Sequence, residues 1–326
     1  MMVSSFGAEH LQRYRPWFCC IRRPAPDAAG TGHTGVVTDL ADWLTDPTVG
    51  APPTRLLPDY AFRFMGTDGL LATIASRGLR MNAWSKMNDP REAQQWESTG
   101  TLTTLAPFTE HEMRHRLDDV LRRSARLLAL TVDRDLTRDA DPNSLFHRGW
   151  GRAPLWAHYA DSHRGVCLVL DPAALNEAFD NGVPLKSARH RFWGRIQYAD
   201  KPIRIDLVGA FADQASLDAA IKDYIDEHLQ KSRGGFGRLY MSKNTDWAYE
   251  TELRIAVVDR DLDESELDTP LNVPLGDLLT AVIFGDAHSA PRVIAAGVRR
   301  ELGPDSPQFF QCHWTNGAPR LEQLAI

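Results

Sequence analysis

Residues 247–258 read WAYETELRIAVV, and within them Glu250, Glu252 and Arg254 alternate with Thr251, Leu253 and Ile255. In an extended chain, positions i, i+2 and i+4 share one face, so the two acids and the arginine are expected on one side of a strand and the apolar residues on the other. Such a face has two uses. If it meets water, its cross-strand ion pairs contribute from a few tenths of a kcal/mol to about 1 kcal/mol each. If it lines a site, a glutamate can hydrogen-bond a ribose hydroxyl and stabilise positive charge developing at an anomeric carbon. Lys243 stands just upstream in SKNTDWAYETELRI.

Two further stretches carry polar groups that could join such a site. In SKMNDPRE, residues 85–92, Asn88, Asp89 and Pro90 form a turn signal, because Asn and Asp side chains cap backbone amides while proline sets the entry to a helix. Glu92 then falls in the first turn, where an acid complements the helix dipole. Either that is the whole of their role, or Asn88 and Asp89 also orient a ligand at the mouth of a site. In WAHYADSHRGVCLVLD, residues 156–171, Trp156, Tyr159, His163 and Arg164 crowd in front of an apolar run. Trp156 and Tyr159 are three apart, which suits packing on a core and equally a platform for stacking a base or a nicotinamide ring. His158 and His163 are five apart with no cysteine or acid to complete a zinc set, so no metal is expected there. No GxSxG elbow, CxxC pair or glycine-rich phosphate loop is present. Cys167, inside GVCLVL, reads as a small buried hydrophobe.

Elements to position these groups can be read on both sides of them. YAFRFM predicts a short strand. TDGLLATIASRGLRM predicts a helix with Thr67 or Asp68 as N-cap, Leu70, Leu71, Ile74 and Leu79 at helical spacing, and Gly78 at its end. TEHEMRHRLDDVLRRSARL predicts a charged helix leading into the strand LLALTV, and GVCLVLD, RIQYAD, LTAVIFG and FFQCHWT predict further strands. QASLDAAIKDYIDEHLQKS and APRVIAAGVRREL predict helices. Strands and helices without regular alternation point to an α+β mixed sheet with flanking helices. The chain divides into residues 1–52, a flexible extension with a short helical patch at LADWLTD, and residues 53–326, a single α+β domain.

With 326 residues, of which 43% are hydrophobic, the chain can bury a substantial core. A net charge of -6 argues against broad electrostatic capture of nucleic acid by the whole surface. Four cysteines without framework spacing fit a reduced compartment, and no run approaches the roughly 20 apolar residues that a membrane span needs. A cytoplasmic protein with no membrane partner is expected.

Taken together, NDPRE at 88–92, WAHYADSHRGVCLVLD at 156–171 and KNTDWAYETELRI at 243–255 resemble the motifs of a bacterial family known as domain of unknown function 2971, over roughly residues 56–320. A weaker resemblance is to the ADP-ribosyltransferase fold, whose opening strand, small turn and helix are similar to YAFRFMGTDGLLATIASRGLRMN. That resemblance implies that Arg63 grips the adenosine ribose or a phosphate of NAD, that Tyr159 or Trp156 packs on nicotinamide, that Glu252 holds the nicotinamide ribose and that Glu250 orients the acceptor. Asn88, Asp89 and His163 join the cofactor-binding set, and Arg254 joins the catalytic one. The implied function is transfer of ADP-ribose from NAD to a protein, a nucleic acid or another acceptor, or NAD hydrolysis, by a toxin or phage-defence effector. Two alternatives stand beside it: a Mg²⁺-dependent nuclease using Asp89, Glu92, Glu250 and Glu252 with Lys243 near the phosphate, and a non-enzymatic module that binds a nucleotide or partner.

Overall fold

The computed structural model describes residues 40–45 and 59–326, apart from 90–91, 93–96, 100–101, 105–108, 135–144, 184–188, 202–203, 207–208, 212, 231–236, 260–262 and 264. Ten strands make one mixed sheet. In chain order they are β1 Ala61–Met65, β2 Gly78–Ala83, β3 Ala125–Thr131, β4 Val166–Leu170, β5 Arg189–Arg195, β6 Glu252–Asp259, β7 Leu271–Pro274, β8 Leu279–Phe284, β9 Gln308–Thr315 and β10 Ala318–Gln323. They run in the order β7-β2-β3-β1-β4-β8-β9-β10, with β6 pairing β3 and β5. Neighbours are antiparallel except β8 and β9. Among the described residues the α-helices longer than four residues are α1 Leu40–Thr45, α2 Thr67–Ser76, α3 Glu110–Arg123, α4 Ala153–Tyr159, α5 Pro172–Gly182, α6 Gln214–Gln230 and α7 Pro291–Leu302. The architecture is thus mixed α+β.

The sheet forks at β3. One edge of β3 carries β6 along its whole length, from Glu252 opposite Thr131 to Val258 opposite Ala125. The other edge is shared: β1 meets it at Thr131, through Phe62, and β2 meets it at Leu127 and Arg126, through Asn82 and Ala83. Two strands cannot occupy one edge side by side, so the arms part, and Ala129 and Leu130 between them line a cleft.

Apolar periodicity decides which face of each strand goes where. On β6, Leu253, Ile255 and Val257 enter one core with Leu70, Leu128 and Leu168, whereas Ala256 and Val258 enter a second with Trp84, Leu121 and Tyr240. A third core joins Phe62, Trp150, Trp156 and Phe310. Each fully buried Leu, Val or Phe contributes about 1.5–3 kcal/mol, which lets the sheet tolerate charge on one end of β6. Helix ends follow local chemistry: Thr109 and Glu112 form a reciprocal capping box at α3, and the Asp171 carboxylate accepts from the amides of Ala173 and Ala174 at α5.

Two expectations are corrected. The stop of α2 is Arg77, which takes the left-handed conformation itself (φ 51), because Gly78 is already pairing in β2; Leu79 belongs to that strand, and the N-cap is Gly66 with no side-chain bond. RIQYAD contains only a two-residue strand, Gln197–Tyr198, and the long pairing partner of β6 lies earlier, at Arg189–Arg195. Within the segment read as a flexible extension, α1 is docked: Leu44 is fully buried in the third core. The rest of residues 1–52 and most of the GGFG turn lie outside the described residues.

Candidate functional site

Five charged side chains from three segments meet out of water at the start of β6: Glu92, Lys243, Glu250, Glu252 and Arg254, none more than 5% exposed. Lys243 Nζ lies 2.7 Å from Glu250 Oε2 and 2.9 Å from Glu252 Oε2. Arg254 donates to Glu252 through Nε at 2.5 Å and through Nη2 at 3.1 Å, a two-point fork, and Nη1 donates to the Tyr240 carbonyl at 2.7 Å. Glu92 Oε1 is 2.6 Å from Arg254 Nη1. The Tyr159 hydroxyl donates to Glu250 Oε1 at 2.6 Å, and the Glu252 amide donates to the Tyr198 hydroxyl oxygen at 2.8 Å. The result is a continuous chain of alternating charge from Tyr159 to Glu92. Room for the Arg254 guanidinium comes from its two cross-strand neighbours, Ala129 on β3 and Gly194 on β5.

Three carboxyls against two cations leave an excess of negative charge in a dry place, and the groups respond differently. Burial works to raise the Glu252 pKa, but the charges and hydrogen bonds of Arg254 and Lys243 outweigh it and hold that carboxyl below the ordinary range. At Glu92 burial wins over Arg254 and Lys243, and the carboxyl is raised. Burial likewise disfavours the charged Lys243 and Arg254, yet the surrounding carboxylates overcome it and raise both.

The expected shared strand face is present for Glu252 and Arg254 but not for Glu250. Residues 245–250 form a 3-10 helix, Thr251 turns left-handed (φ 45, ψ 54), and β6 begins at Glu252. Glu250 therefore reaches the same place by a corner. That corner is held by Arg152, whose Nη1 donates to the Tyr249 carbonyl and Thr251 Oγ1, both at 2.6 Å, while Nη2 donates to the Val132 carbonyl at 2.8 Å. The solvated-face reading is overturned, since every residue of β6 is buried and the Glu252 face continues into the second core.

Beside the charge chain opens a cleft of about 120 Å³. Arg63, Asn88, Asp89 and Tyr159 line it together with Glu92, Lys243, Glu250 and Glu252, and Phe62, Phe64 and Leu155 supply an apolar wall. Arg63 spans the fork: it leaves β1, and its Nη2 donates to the Arg80 carbonyl on β2 at 2.9 Å. Its Nη1 is buried without a hydrogen-bond partner among the described residues, and desolvation lowers its pKa to about 10. Asn88 is exposed, Asp89 is buried, and the Glu92 amide donates to the Asp89 carbonyl at 2.9 Å.

Trp156 and His163 are placed elsewhere. Trp156 is fully buried; its Nε1 donates to the Trp150 carbonyl at 2.7 Å, and its ring meets Phe64 edge-on at 5.1 Å. His163 sits in a left-handed turn (φ 69), parallel to Trp156 at 6.3 Å and edge-on to Trp314 at 6.0 Å. Both belong to the packing behind β1 and neither lines the cleft. Conversely, Tyr198, which fixes the Glu252 backbone, carried no signal in the sequence, because its partner is set by strand pairing alone. Arg152 was equally silent. Among the described residues no group of three or more His, Cys, Asp or Glu side chains is placed to hold a metal.

Fold and site together define a mixed α+β protein with a buried ion-pair chain at the floor of a cleft where its sheet divides. Residues 155–255 match the family model described as a protein of unknown function (DUF2971). The match takes in Tyr159, Lys243, Glu250, Glu252 and Arg254 and is narrower than the span of 56–320 read from the motifs, leaving Arg63 and NDPRE outside it. No curated protein and no solved structure matches the chain. Among the described residues no helix is long and apolar enough to cross a membrane.

Proposed function

We propose that the protein consumes NAD, transferring ADP-ribose to an acceptor or hydrolysing the nicotinamide glycosidic bond. The observation that supports this reading is the meeting, at one small cleft, of Arg63, Tyr159 and the Glu250/Glu252 pair. Arg63 lines the cleft, and a guanidinium suits a phosphate oxygen. The likeness to the ADP-ribosyltransferase fold rests on the same arrangement, an arginine on the first strand and carboxylates at the start of a late one.

The two glutamates divide the work. Glu252 receives three charged donor contacts, from Lys243 and twice from Arg254, so its charge is largely spent on holding them. Glu250 receives one cation and one phenol, keeps unused lone pairs, and is the carboxylate best able to stabilise an oxocarbenium-like centre. Tyr159 and Lys243 orient it. Pockets that enclose drug-sized ligands usually measure roughly 300–1,000 Å³, so a cleft of about 120 Å³ takes only part of a dinucleotide.

A cytoplasmic setting and a toxin or defence role belong to the same proposal, because draining the NAD pool harms the cell that contains it. The nuclease reading would require Mg²⁺ to displace Lys243 and Arg254 from the carboxylates they hold. A regulatory module would use the same cleft without turnover.

Purified protein mixed with NAD labelled on the ADP-ribose half tests the proposal. Release of nicotinamide is expected, with Glu250→Gln lowering the rate at least about 100-fold while the fold is kept. NAD that binds but stays intact would point to the regulatory module, and divalent-dependent cleavage of DNA or RNA to the nuclease.

A further inference from the structure

The hydrogen bond between Tyr159 and Glu250 is flanked on both sides by backbone in the left-handed region. Among the described residues seven other than glycine have a positive φ, and three of these stand singly in ordinary places. Arg77 ends α2, Asn316 makes the tight turn between β9 and β10 together with Gly317, and Asp268 lies in a turn. The other four are Thr251, directly after Glu250, and the unbroken run Asp161, Ser162 and His163 (φ 47, 52 and 69), two residues after Tyr159. Such a run is costly, because each Cβ crowds the following carbonyl oxygen. It is held from several sides. The His163 amide donates to the Trp156 carbonyl at 3.1 Å and the Gly165 amide to the Ala160 carbonyl at 2.8 Å, which ties the run to the end of α4. The Arg164 guanidinium forks onto the Asp161 carboxylate. From outside, the Ala287 amide donates to the His163 carbonyl at 3.1 Å, and a β-carbon at Gly285 would collide with that same oxygen. Strain of this kind persists only where the surroundings over-determine it, and it gathers at functional sites.

We infer that Asp161, Ser162 and His163 are positioning residues: their strained turn locks the end of α4 so that the Tyr159 hydroxyl stays on the Glu250 carboxylate. The inference rests on the reading of Glu250 as the working carboxylate and adds how its phenol partner is held. On its own side Glu250 has a fixed backbone, since Arg152 binds the Tyr249 carbonyl and Thr251 Oγ1. Tyr159 has only α4, a helix of seven residues, and reaches the cleft from the last of them. The end of so short a helix frays unless the chain that follows caps it, and here the cap is the left-handed run. Ser162 is exposed and its side chain makes no hydrogen bond among the described residues, so its backbone alone serves the turn.

Ser162→Gly on the full chain tests this, because glycine takes φ 52 without the Cβ penalty and so removes strain while sparing every contact named above. The kcat of nicotinamide release is expected to fall about tenfold with KM unchanged, while the melting temperature stays level or rises. Asn316→Gly relieves a left-handed residue at the tip of the β9–β10 hairpin, outside the cleft lining, and is expected to leave kcat unchanged. A second readout does not depend on NAD. In protein isotope-labelled at the tyrosine Cζ, the Tyr159 resonance is identified by its loss in Tyr159→Phe. In Ser162→Gly it is expected to move toward its place in Glu250→Gln, where the charged acceptor is gone. A wild-type resonance in Ser162→Gly, or an equal loss of kcat in Asn316→Gly, overturns the inference. A lowered melting temperature in Ser162→Gly overturns it too, since the turn would then be unstrained. If the wild-type protein releases no nicotinamide, the proposed function falls by itself, and the resonance and melting temperature decide the role of the turn.

Discussion

Glu252 holds two buried cations, and that fact changes which glutamate is informative to replace. Removing its charge leaves Lys243 and Arg254 undercompensated in a dry site, which costs about 3–5 kcal/mol when one partner of a buried pair is lost. Glu92 differs, because among the described residues it makes an ion pair with Arg254 alone, where Glu252 holds both Lys243 and Arg254. Denaturant midpoints near neutral pH are therefore expected to fall much further for Glu252→Gln than for Glu92→Gln. Equal losses would show that holding a second cation gives Glu252 no larger share of the stability. The pH signs are opposite as well. Glu252, with a lowered pKa, contributes stability present above the unfolded carboxylate range and lost as pH falls through its folded value. Glu92, with a raised pKa, contributes below the unfolded value and loses that contribution as pH rises through its folded value. From the sequence, Glu252 and Arg254 were legible as partners on one face by alternation alone. Whether that face was wet or dry was not, since it depends on what β3 and β5 place beside it.

The corner between the 3-10 helix and β6 decides where Glu250 points, and Arg152 holds it with three hydrogen bonds from one guanidinium. A lysine there has a single ammonium and cannot serve carbonyls of Tyr249 and Val132 and the Thr251 hydroxyl in the same plane. Arg152→Lys is expected to lose roughly 1–3 kcal/mol in thermal denaturation and to lower nicotinamide release, because Glu250 is no longer held. Normal stability and turnover in this variant would show that the corner is set without Arg152. Helices with a clear apolar or charged pattern were readable, among them α3 within TEHEMRHRLDDVLRRSARL and α7 within APRVIAAGVRREL. Weak signals misled. Gly78 looked like a helix stop, but its backbone was needed by β7, and the left-handed position fell to Arg77. The strand at Arg189–Arg195 carries three arginines and a glycine, so no apolar pattern announced it.

The whole molecule depends on three cores meeting around a forked sheet, and its stability should respond to pH through His288. That side chain is buried between the starts of α2 and α7, with Nδ1 accepting from the Ala290 amide at 3.2 Å and Nε2 facing Thr67 Oγ1 at 3.1 Å. Burial lowers its pKa below 6.5, so its contribution is full above the unfolded value of about 6.5 and is lost as pH falls toward the folded one. The melting temperature is expected to decline between pH 8 and 5.5, and to do so less in His288→Asn; identical slopes would remove His288 as a cause. Docking of α1 is a property of the same scale, since Leu44 packs in the third core with residues far from it in the chain, such as Trp150 and Phe310.

By itself the sequence determined the class of architecture, most of the helices, the inward alternation of β6 and the cluster of motifs at 156–171 and 243–255, because hydrophobic period and capping chemistry act over a few residues. Tertiary structure alone decided that Glu92, Lys243, Glu252 and Arg254 meet as alternating ion pairs, that Trp156 is packing rather than platform, and that Arg63 lines the cleft. These outcomes depend on which strand shares an edge of β3, and pairing between residues far apart in the chain, such as Phe62 with Thr131 and Glu252 with Thr131, leaves no trace in local periodicity.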